Sequence, residues 1–257
     1  MLIATWNVNS LRARLQHLTD WLAANPVDVI ALQETKVCDE DFPHAEVAAL
    51  GYRCVASGQK SYNGVAILSK LPIEQVVPGI PGYADEQKRV LAATIGGVRI
   101  IDVYVPNGQA PDSPKYAYKL LWLRTLRAYL RDEMGQHDKL LVLGDYNIAP
   151  EDRDVHDPAT WEGKVHTTDA ERAELRALQQ LGLTDLFRKF EQPERSFSWW
   201  DYRMFAFRRD LGLRIDLLLA SAPLAAMCDG CHIDRTPRAW ERASDHAPVV
   251  GKFAIPS

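Results

Sequence analysis

Apolar runs of strand length recur along the chain, and several stop abruptly at a polar side chain. Leu2 to Trp6 ends before Asn7, Val27 to Leu32 before Gln33 and Glu34, and Leu140 to Leu143 before Gly144 and Asp145. Runs of this kind predict strands covered on both faces, and Val65 to Leu68 predicts another short one. Between the first two, Leu11, Leu15, Leu18 and Leu22 fall at spacings of one helical turn, which predicts an amphipathic helix ending near Asn25 and Pro26. Leu91 to Ile95 and Val98 to Val105 flank Gly96 and Gly97, a two-residue connection whose glycines accept the positive φ of a tight hairpin. Helical periodicity returns from Lys115 to Arg131 and from Asp169 to Leu181, and strand patterns from Arg214 to Leu219 and from Ala247 to Phe253. The proline-rich stretches Val77 to Gly82 and Pro106 to Pro114 are short enough to be loops. Alternating β and α segments with a hairpin point to packed sheets flanked by helices. With no short repeat, low-complexity tract or linker in 257 residues, one domain spanning 1–257 is expected.

An apolar fraction of 47% with 25% charged residues is that of a globular chain able to bury a sizeable core. The N-terminal segment lacks a basic leader, and no segment reaches the eighteen or so apolar residues of a membrane span. A cytoplasmic monomer that makes no membrane contact is therefore expected. Cys38, Cys54, Cys228 and Cys231 are too few and too scattered for a disulfide framework. The pair Cys228 and Cys231 lacks a matching second pair for zinc, so separate reduced thiols are expected. A net charge of −4 argues against indiscriminate coating of nucleic acid. Local basic clustering remains: Arg188, Lys189, Arg195, Arg203, Arg208, Arg209 and Arg214 share one stretch, which reads either as a groove or as a solvated face.

Five segments set an acid or carboxamide beside an expected strand end: Asn7, Glu34, Asp145 with Asn147, Asp216, and Asp245 with His246. Loops at strand ends are where a rigid scaffold holds reactive groups. Oxygen donors of this type suit magnesium, which takes one or two carboxylates plus water and substrate phosphate. Each residue alone is as readily a turn, a cap or a core histidine. The ordered series carries more: Trp6-Asn7-Val8-Asn9, Gln33-Glu34-Thr35-Lys36, Gly144-Asp145-Tyr146-Asn147, Arg214-Ile215-Asp216 and Ser244-Asp245-His246-Ala247-Pro248.

That series resembles the exonuclease III and apurinic/apyrimidinic (AP) endonuclease family, within the endonuclease, exonuclease and phosphatase superfamily. The resemblance runs from residue 1 to about 254. It includes Asn63-Gly64-Val65-Ala66, Tyr104 with Pro106-Asn107-Gly108, and Phe197-Ser198-Trp199-Trp200-Asp201-Tyr202 leading to Leu211-Gly212-Leu213-Arg214. It implies an α/β fold of four layers, two packed mixed β-sheets between helices. It also implies a magnesium-dependent phosphodiesterase, with manganese able to substitute, acting on double-stranded DNA with nicks, 3′ ends or abasic sites. By resemblance Glu34 holds the metal with Asn7, Asn9 and Asp245, and Asp145 orients or deprotonates the attacking water. Asn147, Tyr104 and Asn107 contact the scissile phosphate, and Asp216 orients His246. Lys36 and Arg203 are candidate backbone-phosphate contacts, and Trp199 and Leu213 candidate walls of a pocket for an extruded sugar.

One stretch departs from the pattern. Where family members carry a small Ser or Gly, then Phe and a Pro-Glu-Glu-Arg-like segment, this chain reads Lys164-Val165-His166-Thr167-Thr168-Asp169-Ala170-Glu171-Arg172. A bulky His166 bordering the sugar pocket would narrow it, weakening AP-site incision relative to 3′-end trimming. Two other readings remain: an enzyme of the same superfamily acting on a non-DNA phosphate ester, and a silent DNA-end-binding module. All of this requires Glu34 to lie within about 10 Å of Asp145 and His246, the reach of one magnesium-bound phosphate.

Overall fold

The computed structural model describes residues 1–255. Among the described residues, twelve strands form two six-stranded mixed sheets. The first sheet contains β1 (Leu2–Asn7), β2 (Val29–Gln33), β3 (Arg53–Ser57), β4 (Val65–Ser69), β11 (Cys228–Ile233) and β12 (Val249–Phe253), in the order β11-β12-β1-β2-β4-β3. The second contains β5 (Glu74–Pro78), β6 (Val90–Ile95), β7 (Val98–Tyr104), β8 (Leu140–Asp145), β9 (Leu183–Asp185) and β10 (Asp216–Ser221), in the order β5-β6-β7-β8-β10-β9. The helices are α1 (Leu11–Ala24), α2 (His44–Ala49), α3 (Pro114–Met134), α4 (Pro158–Trp161), α5 (Asp169–Gln179) and α6 (Ala222–Ala226).

The core explains the four layers. Ile3, Ala31 and Ile67 from the first sheet meet Leu91, Ile100, Leu143 and Leu218 from the second, forming a continuous apolar interior. On the outer face of the first sheet, Leu18, Trp21 and Leu22 of α1 cover Ala4, Ile30 and Leu68. On the outer face of the second, Trp122 and Leu126 of α3 and Leu175 and Leu178 of α5 cover Ile101, Val142 and Leu219. Both faces of each central strand are therefore buried, which is why these strands read as unbroken apolar runs.

Gly96 and Gly97 adopt φ of 56° and 74° and join β6 to β7 with Ile95 opposite Val98, the tight hairpin the sequence predicts. One expectation needs correction. The Val77 to Gly82 stretch is not wholly a loop, because β5 runs to Pro78 on the edge of its sheet, where a proline costs no ladder bond. The segment from Cys228 to Cys231 lies in an edge strand, and a bulge between Cys228 and Gly230 turns both cysteines toward the core between the sheets. Both thiols are free and buried, and burial raises their pKa values. They pack as apolar groups.

A buried polar pair crosses the interface between the sheets. Gln33 Nε2 donates to Asp102 Oδ1 at 2.7 Å and to Thr5 Oγ1 at 2.8 Å. Among the described residues, Gln33 Oε1 and Asp102 Oδ2 have no partner. One proton on Oδ2 would let the acid donate to the amide oxygen and close a cyclic pair. Burial pushes the Asp102 carboxyl well above the usual range, against the Gln33 and Ala66 donors. The folded state thus favours the neutral acid. Its stabilisation is complete below the unfolded carboxyl value of about 4 and is lost as pH climbs through the raised folded value. Asp102→Asn supplies the donor at every pH. It is expected to flatten that slope and to be about 1–3 kcal/mol more stable than the native chain at pH 8. Urea unfolding at pH 5 and pH 8 measures this, and equal slopes for both proteins would exclude a neutral Asp102.

Candidate active site

The topology brings the distant motifs to one edge. Asn7 and Gln33 pair at the C-terminal ends of the parallel strands β1 and β2, and Tyr104 and Asp145 pair at the ends of the parallel strands β7 and β8. Because β10 runs antiparallel to β8, its first residue, Asp216, lies opposite Asp145. Likewise β12 runs antiparallel to β1, so the segment just before it, Asp245 and His246, returns to the same edge. Several of the loops there are held in the left-handed region by non-glycine residues: φ is 51° at Glu34, 54° at Lys36, 50° at Asn147 and 80° at His166. Such conformations cost on the order of 1–3 kcal/mol each and persist where the surroundings over-determine them.

Asp145 is the hub. Its Oδ1 accepts the Asn147 backbone N–H at 2.8 Å, and its Oδ2 accepts Asn7 Nδ2 at 2.9 Å and Asn147 Nδ2 at 3.2 Å. His246 Nε2 lies 3.7 Å from the same Oδ2, while His246 Nδ1 lies 2.9 Å from Asp216 Oδ2. Glu34, Asp145 and His246 bring one ligand-capable atom each within 4.8 Å of one another, well inside the 10 Å limit. Burial pushes the Asp145 carboxyl up, against the attraction of His246, to about 7. For His246, burial alone would lower the imidazole, but Asp216 and then Asp145 push it up to about 10. The ring is therefore an imidazolium near neutrality. Burial, with the Glu34 and Asp145 charges, keeps the Tyr104 hydroxyl protonated and able to donate.

This donor set suits a hard divalent cation. His246 is committed to Asp216 and protonated, so Glu34 and Asp145 remain as the oxygen ligands that would hold the ion. Other expected ligands are arranged differently. Asn7 turns Nδ2, a donor, toward Glu34 Oε1 at 2.9 Å as well as toward Asp145, so it orients both carboxylates. Asn9 Nδ2 donates to Asp245 Oδ1 at 2.9 Å, and Trp199 Nε1 donates to Asp245 Oδ2 at 2.9 Å. Burial would raise the Asp245 carboxyl, but His246, Trp199 and Asn9 hold it below the usual range. Lys36 links the two groups, with Nζ 2.9 Å from Glu34 Oε2 and 2.5 Å from Asn9 Oδ1. It neutralises Glu34 and does not stand free for a phosphate.

Beside this hub opens a cleft of about 980 Å³, walled by Tyr62, Arg89, Asn107, His166, Trp199 and Arg203. Asn107 Nδ2 donates to Asn147 Oδ1 at 3.2 Å and so joins wall to hub. Leu213 does not reach the cleft: it is fully buried with Ala149, Val155 and Ile215, and Trp199 packs over it. His166 is a built feature. It is 7% exposed, its Nδ1 donates to the Asn147 carbonyl at 2.6 Å, and its ring lies 6.1 Å from both Trp161 and Trp199. Burial first, then Lys119, lowers its pKa to about 4, so it stays neutral.

The basic stretch is not a continuous groove. Arg214 is buried against Asp154 and Asp185, Arg188 pairs with Asp154, Lys189 donates to the carbonyls of Ala225 and Cys228, and Arg195 pairs with Asp210. Arg203 alone of that stretch lines the cleft. The sequence reading missed Ser198, whose Oγ donates to Asp216 Oδ2 at 2.6 Å while accepting the Ile215 and Asp216 N–H groups. It also missed Ser244, whose Oγ ties the Asn7 carbonyl to the His246 N–H. Each stands beside a recognised motif residue, but a serine hydroxyl in a loop gives no signal of its own.

The sequence matches the Endonuclease/Exonuclease/phosphatase family over residues 4–246. It is 36% identical to exodeoxyribonuclease III of Haemophilus influenzae over 98% of this chain and all of that protein. The structure is similar to that of the 3′ phosphatase NExo from Neisseria bound to product DNA hairpin, with a TM-score of 0.97 and 48% identity, covering 98% of this chain and 99% of that one. It is also similar to an AP endonuclease from Archaeoglobus fulgidus, with a TM-score of 0.96 and 40% identity, covering 99% and 100% of the two chains. Among the described residues no helix is long and apolar enough to cross a membrane.

Proposed function

The chain belongs to the endonuclease/exonuclease/phosphatase family, and from that premise we propose that it is a metal-dependent DNA-repair nuclease that processes 3′ ends and leaves 3′-hydroxyl groups. The observation that carries this reading is the convergence of Glu34, Asp145 and an Asp216-anchored His246 on one point beside an open cleft. The exodeoxyribonuclease III relative and the 3′ phosphatase bound to a DNA hairpin support DNA as the substrate class; nicked, 3′-ended or abasic duplexes are the forms we assign.

The ion we assign is magnesium, with manganese able to replace it, and it supplies Lewis-acid stabilisation of the phosphate charge when bound. Glu34 would hold it, with Asp145 close enough to share it. The Asp145 carboxylate, fixed by three amide donors, orients a water and takes its proton as the water attacks phosphorus directly, while the P–O3′ bond breaks and the departing 3′-oxygen takes a proton from solvent to become the 3′-hydroxyl. The His246 imidazolium, anchored through Nδ1, presents Nε2–H to the phosphate oxygens on which charge grows. Tyr104, whose hydroxyl stays protonated, and Asn107 on the cleft wall are the further neutral donors we assign to the phosphate. Ser198 and Ser244, the serines beside the site, donate their hydroxyls to Asp216 and to the Asn7 carbonyl, which supports direct attack by water without a covalent enzyme intermediate.

The deciding experiment is digestion of a 3′-labelled nicked duplex with magnesium and with excess EDTA. Cleavage to 3′-hydroxyl ends that EDTA abolishes and added magnesium restores is expected. Undiminished cleavage in EDTA, or no attack on any 3′ end, would sink the reading.

His166 fills space that an extruded abasic sugar would need, so incision at internal AP sites is weaker than 3′-end trimming. Extrusion costs a few kcal/mol of unstacking, which a closed pocket does not return. His166→Gly opens the space, and glycine accepts the φ of 80° without strain. It is expected to raise the ratio of abasic incision to trimming by about tenfold or more, since about 1.4 kcal/mol recovered is a factor of ten. Both rates measured on matched duplexes test this, and an unchanged ratio would remove His166 as the cause.

A further inference from the structure

Lys119 is fully buried on α3, a position that amphipathic periodicity assigns to the core. All three hydrogens of its ammonium are used: Nζ donates to the Asn107 carbonyl at 3.1 Å, to the Asn147 carbonyl at 2.7 Å and to Glu171 Oε1 at 2.5 Å. Glu171 is buried as completely, on α5. Its Oε1 also accepts the His166 N–H at 3.0 Å, and its Oε2 accepts the Thr168 N–H and Oγ1 at 3.1 and 2.6 Å. Burying two charges costs more than an apolar pair of the same volume would, so packing α3 against α5 does not by itself call for them. What an apolar pair could not do is hold the loop after β7 to the loop after β8. The second of these carries Asn147, whose N–H and Nδ2 grip both oxygens of Asp145.

We propose that Lys119 and Glu171 are positioning residues for hydrolysis, fixing Asn147, and through it the Asp145 carboxylate, together with Asn107 on the cleft wall. This rests on the nuclease reading above. The ammonium sets where the two carbonyls sit, and the carboxylate sets where the ammonium sits. The pair therefore acts on turnover more than on substrate binding, because Asp145 works on the attacking water.

Two variants separate positioning from mere stability. Lys119→Met with Glu171→Met removes both charges and leaves no uncompensated ion, but it takes away the donors to Asn107 and Asn147. Glu171→Gln keeps those donors but strands a buried ammonium, the more destabilising change. With a nicked duplex and magnesium, the double variant is expected to lose about a hundredfold in kcat with KM within threefold. Glu171→Gln is expected to retain kcat within about tenfold despite the lower unfolding midpoint of the two. This crossing of activity and stability is what a purely structural role does not produce. The proposal is overturned if kcat follows the order of the unfolding midpoints, if the double variant turns over like the native chain, or if it does not fold. Inactivity of the native chain on the same duplex would instead remove the nuclease reading.

Discussion

Asp145→Asn is expected to lower the single-turnover rate of phosphodiester cleavage by about 10³-fold, in the middle of the 10²–10⁴ range typical of a positioned general base. Both oxygens of this carboxylate face donors, Asn147 N–H at Oδ1 and the Asn7 and Asn147 amides at Oδ2, which leaves a lone pair of Oδ1 for the water. An asparagine amide group would set donor against donor on whichever side it lay, and it cannot take a proton from water. The native chain holds Asp145 with its carboxyl pushed up to about 7, burial being the main cause and Asp216 and Glu34 adding to it. Removing that charge relieves the desolvation and offsets the mismatched amide, so the unfolding midpoint should stay close to native. DNA binding should hold or tighten, since a negative charge beside the phosphate is gone. The decisive comparison is rate against affinity on one duplex. A rate within tenfold of native, with binding intact, would show that Asp145 does not handle the water.

How much of this was legible in the sequence depends on the kind of signal. Strands buried on both faces announce themselves, so β1, β2, β4 and β8 were readable, as was the hairpin at Gly96 and Gly97. The edge strands β3, β5, β9 and β11 were not, because half-exposed or short segments such as Glu74–Pro78 and Leu183–Asp185 carry neither an apolar run nor a clean alternation. Reactive residues were readable where they end a strand, as at Asn7 and Asp145, or directly follow one, as at Glu34. Their partners were hidden: Ser198 and Ser244 resemble any loop serine, Lys119 stands at a core position of α3 that its charge disguises, and Glu171 resembles an ordinary first-turn acid of α5 until packing encloses it.

The basic stretch misled for a related reason. Charge density along a sequence does not say where its counter-charges are, and Asp154, Asp185 and Asp210 reach Arg214, Arg188 and Arg195 only through tertiary contacts. Leu213 was assigned to the cleft by resemblance, yet the cross-strand bridge that places Trp199 at the surface puts Leu213 beneath it. His166 shows the opposite case. Its size alone suggested a narrowed pocket, but its bond to the Asn147 carbonyl, which ties the pocket to the catalytic loop, needed coordinates.

Asp216→Asn is expected to move the alkaline limb of the pH–rate profile downward by several pH values and to cut the plateau rate by at least about a hundredfold. In the native chain, activity should rise with pH as Asp145 loses its proton, from a limb at about 7 that a bound cation would draw lower. It should fall as His246 loses its own near 10. The two groups face one another at 3.7 Å, so these limbs belong to the pair and not to either residue alone. Asp216 is the largest of the influences holding the imidazolium, and Ser198 fixes its orientation. An amide in its place accepts a hydrogen bond from Nδ1 but supplies no charge, and the buried ring then falls back toward or below the ordinary histidine value of about 6.5. As pH rises past that value the variant would lose the cation that faces the phosphate, while the native chain still keeps it. The same change bears on folding: the raised native value means His246 stabilises the fold fully below the unfolded value of about 6.5, and that contribution shrinks steadily as pH rises from there and is gone above about 10. In Asp216→Asn, with the folded value back near the unfolded one, this pH-dependent stabilisation should be largely absent. Rates and unfolding midpoints measured from pH 5 to pH 10.5 would read both. An alkaline limb left in place would mean that another group, and not the Asp216-anchored imidazolium, titrates there.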